Sequence, residues 1–186
     1  MASATPDFTR LDYLANGSAT QKMAYQAINA SNVFQILAPF GPLLAGTLPL
    51  DLFTPHSDLD VLCHAPAPDA FATFVEKHFS SYSGFSVSEK KVHHMSTVIA
   101  RFSFHGYLFE IFGQPVPPRQ QVAYRHLLAE HALLRQHGEN LKQTVLTLKL
   151  KGMKTEPAFA QALGLPGDPY ETLLLLSDQL ANASNR

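Results

Sequence analysis

The sequence has a single cysteine, little charge and no long apolar run. One cysteine, Cys63, excludes an internal disulfide. It sits in an apolar stretch with no second cysteine to share a zinc ion and no neighbour that marks an activated thiolate. No apolar segment nears the roughly eighteen residues of a membrane span, and no basic region followed by an apolar core opens the chain. The expectation is a protein without membrane span or signal peptide, in the cytoplasm. Charged residues make up 16% and the formal charge is −1. That leaves no overall basic field, which counts against an extended nucleic-acid surface. What is present is 46% apolar residues in a chain of 186, enough for a core in one compact unit. A sheet-bearing part over residues 1–116 and a helical region over 117–186 packed on it are expected. The oligomeric state is not legible in the composition.

The chain is organised around residues 43–63. Leu43-Leu44-Ala45-Gly46-Thr47 reads as a strand, Pro49, Pro55 and His56 mark a loop, and Ser57-Asp58-Leu59-Asp60-Val61-Leu62-Cys63 reads as a second strand. Asp58 and Asp60 are two apart, so both carboxylates share one face, and Leu59 and Val61 point into a core. Two like charges side by side are costly unless a cation offsets them. A divalent ion such as Mg²⁺, with Mn²⁺ as the alternative, takes oxygen ligands of this kind together with substrate phosphates. The bland alternative is a pair of aspartates ending a loop beside a solvated strand.

Elsewhere the periodicity alternates between helix and strand. Residues 1–8 read as a loose start, Thr9 as the cap of a short helix ending near Gly17, and 19–30 as a helix. Ser31 or Asn32 caps another that Pro39 ends. Asp69 caps a helix carrying Phe71, Phe74, Val75 and His78. Phe85 and Val87 alternate with serines as a strand, and the polar run Glu89 to His94 reads as a hairpin turn. Val98–Phe104 and Tyr107–Phe112 alternate around His105-Gly106, a two-residue loop that places Arg101 opposite Glu110 on one face. Glu110 is the only charge in its run. Pro117-Pro118 opens a helix with Tyr124, Leu127, Leu128, His131 and Leu134 as its buried stripe, ended by Gly138. A helix over 139–151 follows, then a short one capped by Thr155 and ended by Gly164. A last helix opens with Asp168-Pro169-Tyr170-Glu171 and frays by Asn182. The fold class is therefore α/β (α+β): a twisted mixed sheet of about five strands with flanking helices and a C-terminal helical region.

The order Gly-Thr, a loop, Asp-Leu-Asp and a later strand carboxylate resembles the signature of the nucleotidyltransferase (polymerase-beta-like) superfamily. The whole chain also resembles an uncharacterised bacterial family within it. That likeness rests on Gly46-Thr47-Leu48-Pro49, Ser57-Asp58-Leu59-Asp60, Glu110-Ile111-Phe112-Gly113-Gln114, Tyr124-Arg125-His126 and Lys154-Thr155-Glu156-Pro157-Ala158-Phe159. It implies a nucleotidyltransferase-like fold. The implied activity is Mg²⁺-dependent transfer of a nucleoside monophosphate from a nucleoside triphosphate to an acceptor the residues do not name.

Asp58, Asp60 and Glu110 would then be the metal-binding and catalytic carboxylates. Gly46, Thr47 and Ser57 would seat phosphate, with Arg101, Lys149 and Lys154 as further phosphate ligands. Each has a plainer reading: Arg101 and Glu110 as an ordinary cross-strand ion pair, the lysines as a solvated helix face. Arg125 and Gln121 share a helix face and can line a pocket with Gln114 or pair with acids. His56, His93 and His94 lack zinc spacing, and His64 reads as a strand-end residue. The rival is a non-catalytic nucleotide-binding or protein-interaction domain that keeps the fold.

Overall fold

The computed structural model describes residues 6–92 and 94–184. Three short helices, α1 (Asp12–Ala15), α2 (Ala19–Ala30) and α3 (Val33–Ile36), precede strands β1 (Leu43–Ala45) and β2 (Leu59–His64). Helix α4 (Pro68–Phe79) leads to β3 (Ser83–Val92), β4 (Met95–Phe104) and β5 (Tyr107–Gln114), and α5 (Val122–Leu150), α6 (Thr155–Leu163) and α7 (Pro169–Ser184) complete the chain. The five strands form one sheet in the order β1-β2-β5-β4-β3. Only β2 and β5 run parallel. A parallel pair needs a long crossover, and α4 with the β3–β4 hairpin supplies it.

The period of two along each strand divides the sheet into two faces. Leu59, Val61, Phe109, Ile111, Ala100 and Phe102 pack with α4 and the N-terminal helices. Leu43, Ala45 and Leu62 face the other way, against α5, α6 and α7. Phe102 stacks on Phe79 from α4 on one side and on Phe109 on the other, with centroids 5.1 and 4.8 Å apart. The β4–β5 turn is two residues long, with His105 at φ 49° and Gly106 at φ 80°. That is the pair of positive φ values a type I′ hairpin requires, and it sets Arg101 opposite Glu110.

Several local expectations need correction. The polar run Glu89 to Val92 is not a turn but the end of β3, paired residue by residue with β4 as far as Val92 and Met95. As the sheet's edge strand it exposes polar side chains, so its pattern carried no core signal. His94 is in the turn; His93 and residues 1–5 lie outside the described residues. Thr9 does not cap α1: it donates to Asp7 instead. Asp69 stands in the first turn of α4, whose cap position is Ala67, and Lys154 rather than Thr155 is the cap residue of α6. Neither Ser31 nor Asn32 caps α3 by a side-chain bond; Asn32 holds the position in a left-handed conformation. Pro117-Pro118 enters a 3₁₀ turn before the long helix begins at Val122. Gly138, at φ 68° and ψ −156°, breaks the long helix into two segments as expected, and the second runs on to Leu150. The buried stripe before the kink is Tyr124, Leu127, Glu130 and Leu133, whereas Leu128 is exposed. The last helix continues past Asn182 to Ser184, and its start is as expected, with Asp168 Oδ1 accepting from the Tyr170 and Glu171 amides at 3.0 Å.

Candidate active site

The site is built where β2 and β5 lie side by side. Their parallel register places Asp60 next to Glu110, and β4 places Arg101 on the far side of Glu110. Asp58 precedes β2 by one residue, so its carboxylate joins the same cleft. Arg101 Nη2 and Glu110 Oε1 form an ion pair with Glu110 the more buried partner. Burial pushes the Glu110 pKa up, Arg101 pulls it back in part, and Asp58 adds to the rise, so the net direction is upward. Asp60 is perturbed further: burial first, then the carboxylates of Glu110 and Asp58, raise it from 3.8 up to about 8. A carboxyl group so placed holds a proton at neutral pH or gives it up to a cation.

Gly46 has a structural reason distinct from phosphate approach. Its φ is +69°, and a Cβ there would fall 1.9 Å from Asp60 Oδ2. The Asp60 carboxylate fills the space a side chain at residue 46 would occupy, so only glycine lets β1 and β2 pair as they do. The loop that follows is held from both sides. Gln21 of α2 donates to the carbonyls of Leu48 and Pro49 at 3.0 and 3.3 Å. Asp51 accepts from Ser18 at 2.5 Å and from Lys142 of α5 at 2.7 Å. The Ser57 hydroxyl, expected to hold phosphate, accepts from the Thr54 amide at 3.0 Å and lies 3.1 Å from Thr54 Oγ1. Thr47 lines the cleft at 9% exposure.

The opposite wall comes from the α5–α6 turn, which brings Lys149, Lys154 and Thr155 over the acids. Lys149 Nζ donates to Thr155 Oγ1 at 2.8 Å, and burial lowers its pKa. Thr54, His56 and Thr155, which the sequence reading did not place in a site, line the same cleft, whose open volume is about 360 Å³. The signal for Thr155 was absorbed by its place at a helix start, and for His56 by the lack of a metal spacing.

A buried carboxyl group lies within α5. Glu130 of α5 is 3% exposed; burial, then Glu156, raises its pKa well above the usual range. Burial also pushes Glu156 up, but its hydrogen bonds, the one to His126 foremost, and nearby positive charge together outweigh it and the net direction is downward. His126 Nδ1 lies 3.1 Å from Glu156 Oε1, and its Nε2 lies 3.0 Å from the Tyr170 carbonyl. Both partners are acceptors in their usual states, so the ring is tied between α6 and the start of α7. Arg125 faces away from the cleft and pairs with Asp178 at 2.6 Å.

Three carboxylates on one sheet face, one of them raised in pKa by burial and then by the other two, are hard oxygen donors of the type that Mg²⁺ or Mn²⁺ takes. Among the described residues, no group of three or more His, Cys, Asp and Glu side chains stands in an arrangement that could hold a metal ion. Glu110 is instead engaged by Arg101. The donor types suit a divalent ion, but the side chains as they stand do not form a site for one.

The fold is similar to that of several solved polymerases. The chain superimposes on the polymerase core of TRAMP, an RNA surveillance complex, with a TM-score of 0.53 at 15% identity, covering 89% of this chain and 59% of that one. The Cid1 poly(U) polymerase solved with MgGTP matches with a TM-score of 0.51 at 15% identity, over 75% of this chain and 46% of that one. Its form bound to Mg 3′-dATP matches at 0.51 and 16% identity, over 89% and 53%. The chain thus spans about half the length of these polymerases. No curated protein matches it in sequence. Residues 26–176 match the family described as Domain of unknown function (DUF4269), and the chain belongs to that family. Among the described residues no helix is long and apolar enough to cross a membrane.

Proposed function

We propose that the protein is a Mg²⁺-dependent nucleotidyltransferase that moves a nucleoside monophosphate from a nucleoside triphosphate to an acceptor hydroxyl. The observation that carries this reading is the parallel β2–β5 register, which brings Glu110 alongside Asp60 on the face Asp58 shares, beneath Lys149 and Lys154. Asp58, Asp60 and Glu110 would hold the metal. When bound, a divalent ion would supply positive charge that offsets the phosphate oxygens during the displacement at phosphorus. Lys149 and Lys154 draw the triphosphate against the acids, and the Thr47 hydroxyl donates to a phosphate oxygen. Release of Arg101 from Glu110 lets its guanidinium turn to phosphate and frees the Glu110 carboxylate. A carboxylate of the set takes the acceptor's proton as its oxygen bonds to the α-phosphorus, the bond to the bridging oxygen breaks, and pyrophosphate leaves with that electron pair.

The test is calorimetric binding of each nucleoside triphosphate with Mg²⁺, together with a pyrophosphate-release assay. Wild type is expected to bind at least one of them, and Asp58→Asn and Asp60→Asn to lose both Mg²⁺ affinity and turnover while remaining folded. Unchanged metal affinity in both variants would make the carboxylates structural. One observation favours a non-catalytic nucleotide-binding domain: the Arg101 pair that occupies Glu110. That reading expects nucleotide binding, insensitive to Glu110→Gln, with no pyrophosphate released.

A further inference from the structure

An open groove of about 670 Å³ runs between α5 and α7 and shares no residue with the acidic cleft. From α5 come Arg125, Leu128, Ala132 and Arg135, spaced i, i+3, i+7 and i+10 along one helix face. From α7 come Leu180 and Ala181, and Arg119 in the 3₁₀ turn before α5 stands at one end. Leu128 is 37% exposed and Leu180 40%, so this chain covers neither. A single exposed leucine is ordinary; apolar residues from two helices lining one groove with a charged rim mark a protein contact.

The charge of the rim has one sign. Of the six arginines in the sequence, three line this groove, and Asp178 is the only acidic side chain among its lining residues. Three arginines against one aspartate give a formal +2, on a chain whose total is −1. Arg125 and Asp178 offset each other at 2.6 Å, so the excess rests on Arg119 and Arg135, toward opposite ends of the groove. Burial, then Arg135, lowers the His131 pKa, so that ring adds no charge at neutral pH.

We propose that this groove docks an acidic amphipathic helix of a partner protein. Its apolar stripe lies on Leu128, Ala132 and Leu180, and its carboxylates meet Arg119 and Arg135. A groove between two helices accepts a third through anchors at i, i+3, i+4 and i+7, and arginine at such a rim supplies planar, paired donors for carboxylates. A small anion fits less well. Arg125 and Arg135 alone are ten residues apart, roughly 15 Å along α5, so no single phosphate reaches every arginine, whereas a helix of about ten residues spans them. A nucleic-acid strand also fits less well, because no Phe, Tyr or Trp lines the groove to stack a base.

The experiment uses the full chain without metal or nucleotide, so it stands apart from the transfer reading. The probe is a fluorescein-labelled helical peptide of about twelve residues with leucines at i, i+3, i+4 and i+7 flanked by glutamates, followed by fluorescence anisotropy. The comparison ligands are the same peptide scrambled, the same peptide with lysine for glutamate, and a labelled oligouridylate. The expected result is saturable binding of the acidic peptide, at least about ten-fold tighter than any of the three. Leu128→Asp and Arg119→Glu should each weaken it at least about ten-fold, and Asp58→Asn should leave it unchanged. No saturable binding, equal binding of the scrambled or lysine peptide, or an undiminished affinity in folded Leu128→Asp would overturn the proposal. Tighter binding of the oligouridylate would assign the groove to nucleic acid instead, and a wild-type dimer that Leu128→Asp dissociates would assign it to a second copy; either overturns it. Should Leu128→Asp not fold, Leu180→Asp tests the same floor from α7.

Discussion

Asp60→Asn in the metal-free protein is expected to remove much of the pH dependence of stability between pH 4 and 8. In the folded chain burial and two neighbouring carboxylates raise the Asp60 pKa from 3.8 to about 8. Between those values the folded protein keeps a proton that the unfolded chain has released, so stability falls as pH rises, at up to about 1.4 kcal/mol per unit. The penalty is absent below the unfolded pKa and complete above the folded one. Over the whole window the ceiling is between about 5 and 6 kcal/mol. Solvent screening and relaxation around the cleft bring the expected difference below that ceiling. Asparagine keeps the shape and does not ionise, so the variant should be the more stable protein at pH 8 and nearly matched to wild type at pH 4. Glu130, also raised by burial, titrates in both proteins and cancels from the comparison. Urea denaturation at pH 4, 6 and 8 reads the slope directly. At pH 8, Mg²⁺ at a hundred times its Kd should add about 2.7 kcal/mol to wild type and little to the variant. Parallel stability–pH profiles for the two proteins would refute the reasoning, since Asp60 would then be an ordinary solvated carboxylate.

Thr47→Val keeps the side-chain shape and loses the donor, and should weaken triphosphate binding by about 1 kcal/mol or somewhat more, read by calorimetry. Arg101→Ala should lower triphosphate affinity more than Mg²⁺ affinity, and Glu110→Gln should do the reverse; a common effect on both ligands in both variants would mean that the pair acts as one structural unit. Gly46→Ala places a Cβ against the Asp60 carboxylate at a positive φ, and should cost at least about 1 kcal/mol in chemical denaturation from the backbone alone. Combining it with Asp60→Ala should recover part of that loss, because the colliding oxygen is gone.

The hairpin was the most legible part of the site. Alternation through Arg101 and Glu110, with two residues between the runs, determined both the pairing and the face, because a strand offers only two faces and a tight loop only one register. The start of α7 was legible for a similar reason: Asp168 satisfies amides two and three residues away. What the sequence hid was set by tertiary packing. An edge strand such as β3 has no buried face along its polar end, so Glu89, Lys90 and Lys91 looked like a turn. Gly138, by contrast, was legible as a break: its backbone is non-helical, and Leu141 and Val145 pack the second helical segment that follows it. The lysines at 149 and 154 could not be separated from an ordinary wet helix face until α6 was docked over the acids. Gly46 was read as making room for a phosphate, whereas the nearest claimant on that room is Asp60.

The parallel pairing of β2 with β5 also bears on how the chain folds. The β3–β4–β5 meander closes through neighbouring residues and tight turns, whereas β2 must find β5 across the whole of α4, β3 and β4. Contacts so far apart in sequence form slowly, and this one ends with a carboxylate sliding in beside another. The acidic pair is therefore a kinetic obstacle as well as a site, and the barrier it raises depends on solvent conditions. Refolding should quicken at low pH or with Mg²⁺ present, and Asp60→Asn should refold faster than wild type at pH 8, if the β2–β5 contact is already formed at the top of the barrier.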